Sequence, residues 1–404
     1  MAKTQLHVGL EIGTSKVAAV IAETRSDGLL RVIGTGESAS RGVRKGEIVD
    51  IGMITLCLND AVSEAEEKAD REIGDVTAAV TGAHLDSLNN RGGIQIPDDR
   101  DEIEEEDIQE VEQSALDVTI PTGNVFLHTM VQRYYVDGQE GVASPLGMVG
   151  RKLEAEFHIV HGTKTRIQNN LRCIREANLR PATVVMSAVA SAQAVSEQSD
   201  RDSGVLVIDI GGGTTDYILF RDGSVRYSGV LAVGGDHITN DISIGLRVPT
   251  KLAEKLKTEH AEVSPASLSA RGTVDVEDTT FAGGQVERRI LNMVAEARVR
   301  ELFTLLKRRI NFERHAQFLG GGVLITGGTA DLKGIASLAS DIFAVPARVA
   351  LPRPIMGPSA LFESPRFSTV LGLVLYAQAM QDAQEDTSII DMVRSKILRF
   401  IPGL

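Results

Sequence analysis

Cysteine is almost missing from this chain: two residues in 404, Cys57 and Cys173, far apart and without the close spacing of metal ligands. A disulfide framework is thereby excluded, and a reducing compartment is implied. Positive charge is also short. Lys and Arg number 42 against 55 Asp and Glu, a formal net charge of -13, which argues against bulk binding to nucleic acid. No segment reaches the roughly 20 apolar residues needed to cross a bilayer. The opening "MAKTQLHVGLEIG" lacks the apolar stretch of a secretion signal. A cytoplasmic chain that does not span a membrane is expected. What is present is ordinary globular composition, 43% hydrophobic and 24% charged, in a length beyond one typical domain, so two or more lobes are expected.

The most informative stretch is "VLVIDIGGGTTDYILF", residues 205–220. A Val/Ile-rich run suits a buried strand, and Asp209 ends it. Gly211, Gly212 and Gly213 permit a tight reversal and let backbone N–H groups approach an anion. Thr214, Thr215 and Asp216 lead into a second strand, closed by an Asp222-Gly223 turn. Such a loop can cradle a triphosphate, with Asp209 holding Mg²⁺ through water. It is not a P-loop, whose lysine follows the glycines and opens a helix. The N-terminus carries an echo, "HVGLEIGTSKVAAVIAE": Glu11 and Asp209 stand 198 positions apart (209 − 11), and Gly13 and Gly211 keep that offset. A repeat of half the chain predicts two α/β lobes facing one cleft. Further along, Gly327 and Gly328 in "VLITGGTADLKGI" would lay backbone against a planar base, with Thr329 or Asp331 capping the helix that follows. Gly234-Gly235 precedes another helix, and "TKLAEKLK" sets Glu254 and Lys257 on one helical face, where a carboxylate could take ribose hydroxyls.

Together these segments resemble the nucleotide-binding signature of the actin, Hsp70 and sugar-kinase superfamily. Glu11–Lys16, with Gly13, Thr14 and Ser15, is similar to its phosphate-1 loop, Asp209–Asp216 to phosphate-2, and Gly327–Leu332 to the adenosine motif. "VVMSAVASAQAV" (184–195) and "FSTVLGLVLYAQ" (367–378) are similar to its two connecting helices. Between the lobe-1 strands and the first of these lies an insert of about 80 residues. Its acidic run at 98–107 reads as a solvated helix start. The "PLGM" at 145–148 and the closing "EAEFHIVHG" resemble the FtsA family, bacterial cell-division homologues of actin, as does "VAEARVRELF" at 294–303. The implied fold is α/β: a two-lobed actin/Hsp70-like ATPase fold with a small inserted α+β subdomain and a C-terminal amphipathic helix.

The expected division is a first-lobe core over 1–83, the insert over 84–162, and the first lobe again with its connecting helix over 163–203. The second-lobe core takes 204–247, its upper subdomain 248–317, and the core again 318–366. A connecting helix over 367–380 and a linker over 381–387 lead to a membrane helix over 388–404. That last stretch, "IIDMVRSKILRFIPGL", places Ile389, Ile390, Val393, Ile397, Phe400 and Ile401 along one broad helical face, flanked by Arg394, Lys396 and Arg399. An apolar stripe with basic flanks suits an anionic lipid surface, where each cation gains about 1 kcal/mol.

The resemblance implies ATP and Mg²⁺ as ligands, with Lys16 near the phosphates and Glu11 and Asp209 near the metal. It implies self-assembly into filaments, a second-lobe site for the C-terminal tail of the tubulin-like FtsZ, with Arg298 and Arg300 as candidates, and contacts to other division proteins at the cytoplasmic side of the membrane. Two departures matter. Phosphate-1 carries Glu11 where the family has Asp, and the extra methylene moves the carboxylate by about 1.5 Å. ATP binding is therefore expected to survive with altered Mg²⁺ dependence. Where Hsp70-like relatives place a glutamate at the first connecting helix, this chain has Ser187-Ala188. Gln193 could orient water but not abstract a proton, so hydrolysis is expected to be slow. The alternatives are a PilM-like type IV pilus adaptor and a small-molecule kinase.

Overall fold

A computed structural model describes residues 5–269, 271–276 and 284–385. Each lobe is built on a five-stranded sheet of the same topology. In the first, the strands run Arg180–Met186, Asp75–Val80, Gln5–Ile12, Lys16–Thr24, Leu30–Ala39 across the sheet. In the second they run Ala347–Val349, Gly322–Thr326, Val205–Ile210, Thr215–Arg221, Ser224–Leu231. Each is an antiparallel three-strand meander extended by two parallel strands. The half-chain repeat thus holds at the level of topology. Val205–Ile210 is buried at every residue because helices or neighbouring layers cover both faces, which is why its sequence is apolar without alternation. Asp222-Gly223 closes the next hairpin, between Thr215–Arg221 and Ser224–Leu231, with both φ positive, 52° and 74°, the type I′ geometry that an Asp-Gly pair favours.

The insert has a four-stranded sheet, Leu85–Gln95, Lys152–Thr163, Asn124–Val136 and Gln139–Val142 in that order, with the helix Glu105–Leu116 packed on it. Gly92 lets that helix approach, since any Cβ there would strike the Ala115 backbone. The acidic run at 98–107 is not wholly solvated. Asp107 is buried and receives both guanidinium N–H groups of Arg100, at 2.7 and 2.8 Å, while capping the Glu104 N–H.

Two helices join the lobes. The first is Ser187–Val195; residues 184–186, expected within it, instead finish the strand Arg180–Met186. The second runs Ser368–Glu385, five residues past its expected end and into the stretch assigned to a linker. No helix among the described residues is long and apolar enough to cross a membrane. The amphipathic stretch 388–404 lies outside the described residues.

The insert also bears on the second lobe, along its edge strand Ser224–Leu231. His158 is buried between Asn89 Oδ1 (2.6 Å) and Ser228 Oγ (2.7 Å), Ser87 Oγ donates to Ser228 O (2.7 Å), and Gln132 Nε2 donates to Val225 O (2.5 Å). Burial pushes His158 down to about 3 and nearby His128 to about 4, so both rings are neutral. A histidine whose folded pKa is depressed loses stability as pH falls below its unfolded value near 6.5, because the unfolded chain takes the proton and the folded one refuses it. At pH 5 this amounts to about 2 kcal/mol for each ring relative to pH 7.5. His158→Gln is therefore expected to be less sensitive to that pH change than the wild type by about 2 kcal/mol in urea unfolding. Equal sensitivity would show that the ring is not held neutral.

Candidate functional site

The two glycine hairpins meet where the sheets face each other, around a cleft of about 420 Å³. The first lobe supplies Glu11, Gly13, Thr14, Ser15 and Lys16; the second supplies Asp209, Gly211, Gly212, Gly213, Thr214, Gly235, Glu254, Lys257, Gly327, Gly328 and Thr329. All were expected, some on chemistry and spacing and others, Lys16 among them, from the family resemblance, and the fold brings them together.

Glu11 is the last residue but one of the first strand and Lys16 begins the second, so the intervening turn folds one onto the other: Lys16 Nζ donates to Glu11 Oε2 at 2.5 Å. Burial pushes the Glu11 carboxyl up, and Lys16 pulls it back. Asp209 sits at the mirrored position. Its Oδ2 accepts from Ser191 Oγ on the first connecting helix and from Thr369 Oγ1 on the second, at 2.8 Å in the latter case. The two hydroxyls lie 3.0 Å apart. Burial raises Asp209, and these hydroxyls oppose the shift. The same acid thus faces the cleft and ties both connecting helices to the second lobe.

Asp216 faces Asp209 across the strand pair and reaches the other lobe: Thr81 Oγ1, just past the strand Asp75–Val80, donates to it at 2.8 Å. Burial first, and Asp209 next, hold its carboxyl well above the usual carboxylate range. The Gly211–Gly213 turn is itself braced. Gly235 N donates to Gly211 O (2.9 Å), Asp236 N to Gly212 O (2.8 Å) and Thr329 Oγ1 to Gly211 O (3.1 Å). Gly234 packs behind the turn, where a Cβ would meet the Gly211 and Gly212 carbonyls. Lys257 is buried, donating to Glu254 Oε2 (2.7 Å) and Thr239 Oγ1 (2.9 Å), which leaves the half-exposed Glu254 at the cleft edge.

Four expectations are corrected. Thr215 points away from the cleft: strand side chains alternate, and its Oγ1 donates to Val233 O at 2.8 Å. Gln193 is not in the cleft. It lines a separate cavity of about 940 Å³ and its Oε1 accepts from Arg201 at 3.0 Å, so it positions no water at the phosphates. Neither Thr329 nor Asp331 caps a helix, because 328–331 is a 3-10 turn and the helix Ile335–Phe343 starts after Gly334. Arg298 and Arg300 are not free cations. Arg298 donates to Asp241 (2.5 Å) and Glu301, and Arg300 pairs with Glu296 (2.5 Å). The membrane residues Ile389 to Ile401 lie outside the described residues. Residues not anticipated are Ser191, behind Asp209, and Thr81, Thr369 and Arg366, which line the cleft together with Ser187.

No cluster of three or more His, Cys, Asp or Glu suited to a metal occurs among the described residues. Two carboxylates, Glu11 and Asp209, facing an open cleft fit Mg²⁺ held through water and ligand oxygens, not a protein cage.

Comparison with known proteins agrees with this geometry. The family model for the cell division protein FtsA matches residues 206–372, and that for the SHS2 domain inserted in FtsA matches 82–161. Among solved structures, a PilM-PilN type IV pilus biogenesis complex aligns with TM-score 0.64 at 17% identity, covering 92% of this chain and 98% of that one. MreB5 of Spiroplasma citri bound to ADP aligns with TM-score 0.59 at 14% identity, covering 95% and 99%. These establish an actin-like ATPase fold. The cell division protein FtsA of Pseudomonas aeruginosa is 36% identical over 378 residues, 93% of this chain and 90% of the relative. With that identity along nearly its whole length, and with both FtsA models matching in order, this chain belongs to the FtsA family of cell division proteins.

Proposed function

We propose that this FtsA-family chain binds ATP in the interlobe cleft, polymerises on the inner face of the cytoplasmic membrane, tethers the FtsZ ring there and helps recruit later division proteins. The observation that carries it is Asp209: one carboxylate at the phosphate turn, bonded to hydroxyls from both connecting helices, so that whatever occupies the cleft bears directly on the hinge. Gly13–Lys16 and Gly211–Thr214 would hold the phosphates, Gly327–Thr329 the base, and Glu254 the ribose. Glu11 and Asp209 would hold Mg²⁺ through water, and the ion would neutralise phosphate charge.

Ser187 lies at the start of the first connecting helix and lines the cleft, with no carboxylate beside it on that helix. A hydroxyl is no general base at neutral pH. Hydrolysis is accordingly slow, and the nucleotide acts mainly as a clamp between lobes. An acidic FtsZ tail on the helix Arg288–Arg309 would have to compete with Asp241 and Glu301 for Arg298 and with Glu296 for Arg300. The apolar and basic sequence of 388–404 would bind lipid reversibly, and filaments would add avidity by joining many such segments. Membership of the family leaves the pilus-adaptor and small-molecule-kinase readings without support of their own.

Flotation with anionic vesicles tests the reading. The full chain is expected to float, more completely with ATP, and to carry an FtsZ C-terminal peptide with it; a chain lacking 388–404 is expected to stay in the soluble fraction. A truncated chain that floats as well as the full one would refute the anchor.

A further inference from the structure

At the Gly213 end of the glycine turn, sharing Gly213 and Asp236 with the cleft, lies a smaller cavity of about 300 Å³, lined by Arg44, Lys45, Gly213, Asp236, His237 and Asn240. Its cations come from the opposite lobe, on a small hairpin whose strands are Val43–Arg44 and Glu47–Ile48. Lys45 and Gly46 form its turn with φ of 51° and 75°, the type I′ combination. Gly, Asn and Asp suit such positions, whereas a lysine in left-handed backbone is disfavoured, and backbone of that kind gathers at binding sites.

The hairpin is pinned against both lobes. Gly46 N donates to Thr14 Oγ1 of the phosphate-1 turn at 3.1 Å. Gly46 itself is buried against the methyl groups of Thr81 and Thr214, and Glu47 receives Arg166 at 3.0 Å. Lys45 lies directly on the glycine turn: a Cβ on Gly213 would come 3.0 Å from its Cα. Both cations are exposed, and among the described residues neither has an ion-pair partner. Asp236 is the one carboxylate lining the cavity with them, and His237 Nδ1 is occupied by the Gly234 N–H at 3.1 Å. Two unpaired cations against one carboxylate, at the rim of a phosphate turn, make a place for an anion.

We propose that Arg44 and Lys45 form a phosphate site at the outer end of the glycine turn, a proposal that rests on the reading of the cleft as a nucleoside triphosphate site. The bound group is a phosphate dianion, either the terminal phosphoryl group of the nucleotide or inorganic phosphate held beside a bound diphosphate. Because the cations belong to the first lobe and Gly213 to the second, the site is complete only when the lobes are closed. An anion there would favour closure.

Calorimetric titration of the full chain with ATP, with ADP, and with ADP in excess inorganic phosphate, all with Mg²⁺, tests this. The variant is Arg44→Gln with Lys45→Gly; glycine suits the turn, and urea unfolding verifies that the fold is kept. ADP affinity alone is expected to be unchanged. A fall of about tenfold in ATP affinity identifies the terminal phosphoryl group as the ligand. Loss of a phosphate-dependent gain in ADP affinity identifies the free ion. A variant equal to the wild type in all three titrations overturns the site. A wild type that binds neither nucleotide overturns the cleft reading beneath it, which keeps the two failures distinct.

Discussion

Lys16→Met should lose about 3 kcal/mol of stability and about a hundredfold in ATP affinity. Both effects have one origin. The Lys16 side chain is 9% exposed and that of Glu11 16%, with 2.5 Å between their charged atoms. Removing one member of a buried pair leaves the other uncompensated, and breaking such pairs costs roughly 3–5 kcal/mol. The estimate sits at the low end because Glu11, already pushed upward by burial, can escape by taking a proton. The nucleotide term follows from the proposed role of Lys16, which would give a bound phosphate a charge-assisted contact. A double variant, Lys16→Met with Glu11→Gln, separates the two. Replacing both partners removes the stranded charge, so stability measured in urea should recover by more than half, while ATP affinity measured by calorimetry should not. A double variant no more stable than the single one would show that the pair is not what Lys16 supports.

Local chemistry made the cleft legible. Gly211–Gly213 and Gly327-Gly328 are each consecutive in sequence, with Asp209 two residues before the first run, and tight turns favour glycine whatever lies around them. The repeat at 198 positions gave the two-lobed arrangement, and the matching strand orders follow from it. The errors were of two kinds. Some were recoverable: alternation along Thr215–Arg221 already puts Thr214 and Asp216 on one side and Thr215 on the other. In the same way Ser187 and Ser191, four apart, share a helical face that Gln193, about 200° round from Ser191, does not. Others were not. Ser191, Thr369 and Thr81 are single hydroxyls in apolar surroundings, and their partners lie 18, 160 and 135 positions away. A lone Ser or Thr has no periodicity and no neighbour to announce a buried acid. The pairing of Arg298 and Arg300 with Asp241 and Glu296 is partly of this kind, since only the second pair is visible as an i, i+4 spacing.

Those unheralded hydroxyls tie the crossing of the two connecting helices to Asp209 at the cleft. The two connecting helices cross in contact at Gly372 and Ala190, where a methyl group on Gly372 would overlap the Ala190 carbonyl oxygen. Backbone cannot step aside as a flexible side chain can, so Gly372→Ala must push the helices apart, an overpacking expected to cost about 3 kcal/mol. Ser191 is the residue after Ala190, and Thr369 lies three before Gly372. Separating the helices therefore draws the two hydroxyls, now 3.0 Å apart, off the Asp209 carboxylate that both contact. The expected result is a loss of ATP affinity of about tenfold from a substitution that touches no residue lining the cleft. Gly74→Ala is the matched control, since a Cβ there meets nothing within 4 Å, and it should leave both quantities unchanged. If Gly372→Ala weakens the fold in urea but binds ATP like the wild type, Asp209 is not the link between cleft and hinge. If affinity falls with stability, then the carboxylate at the phosphate turn and the crossing of the helices form one mechanical unit, and occupancy of the cleft sets the angle between the lobes.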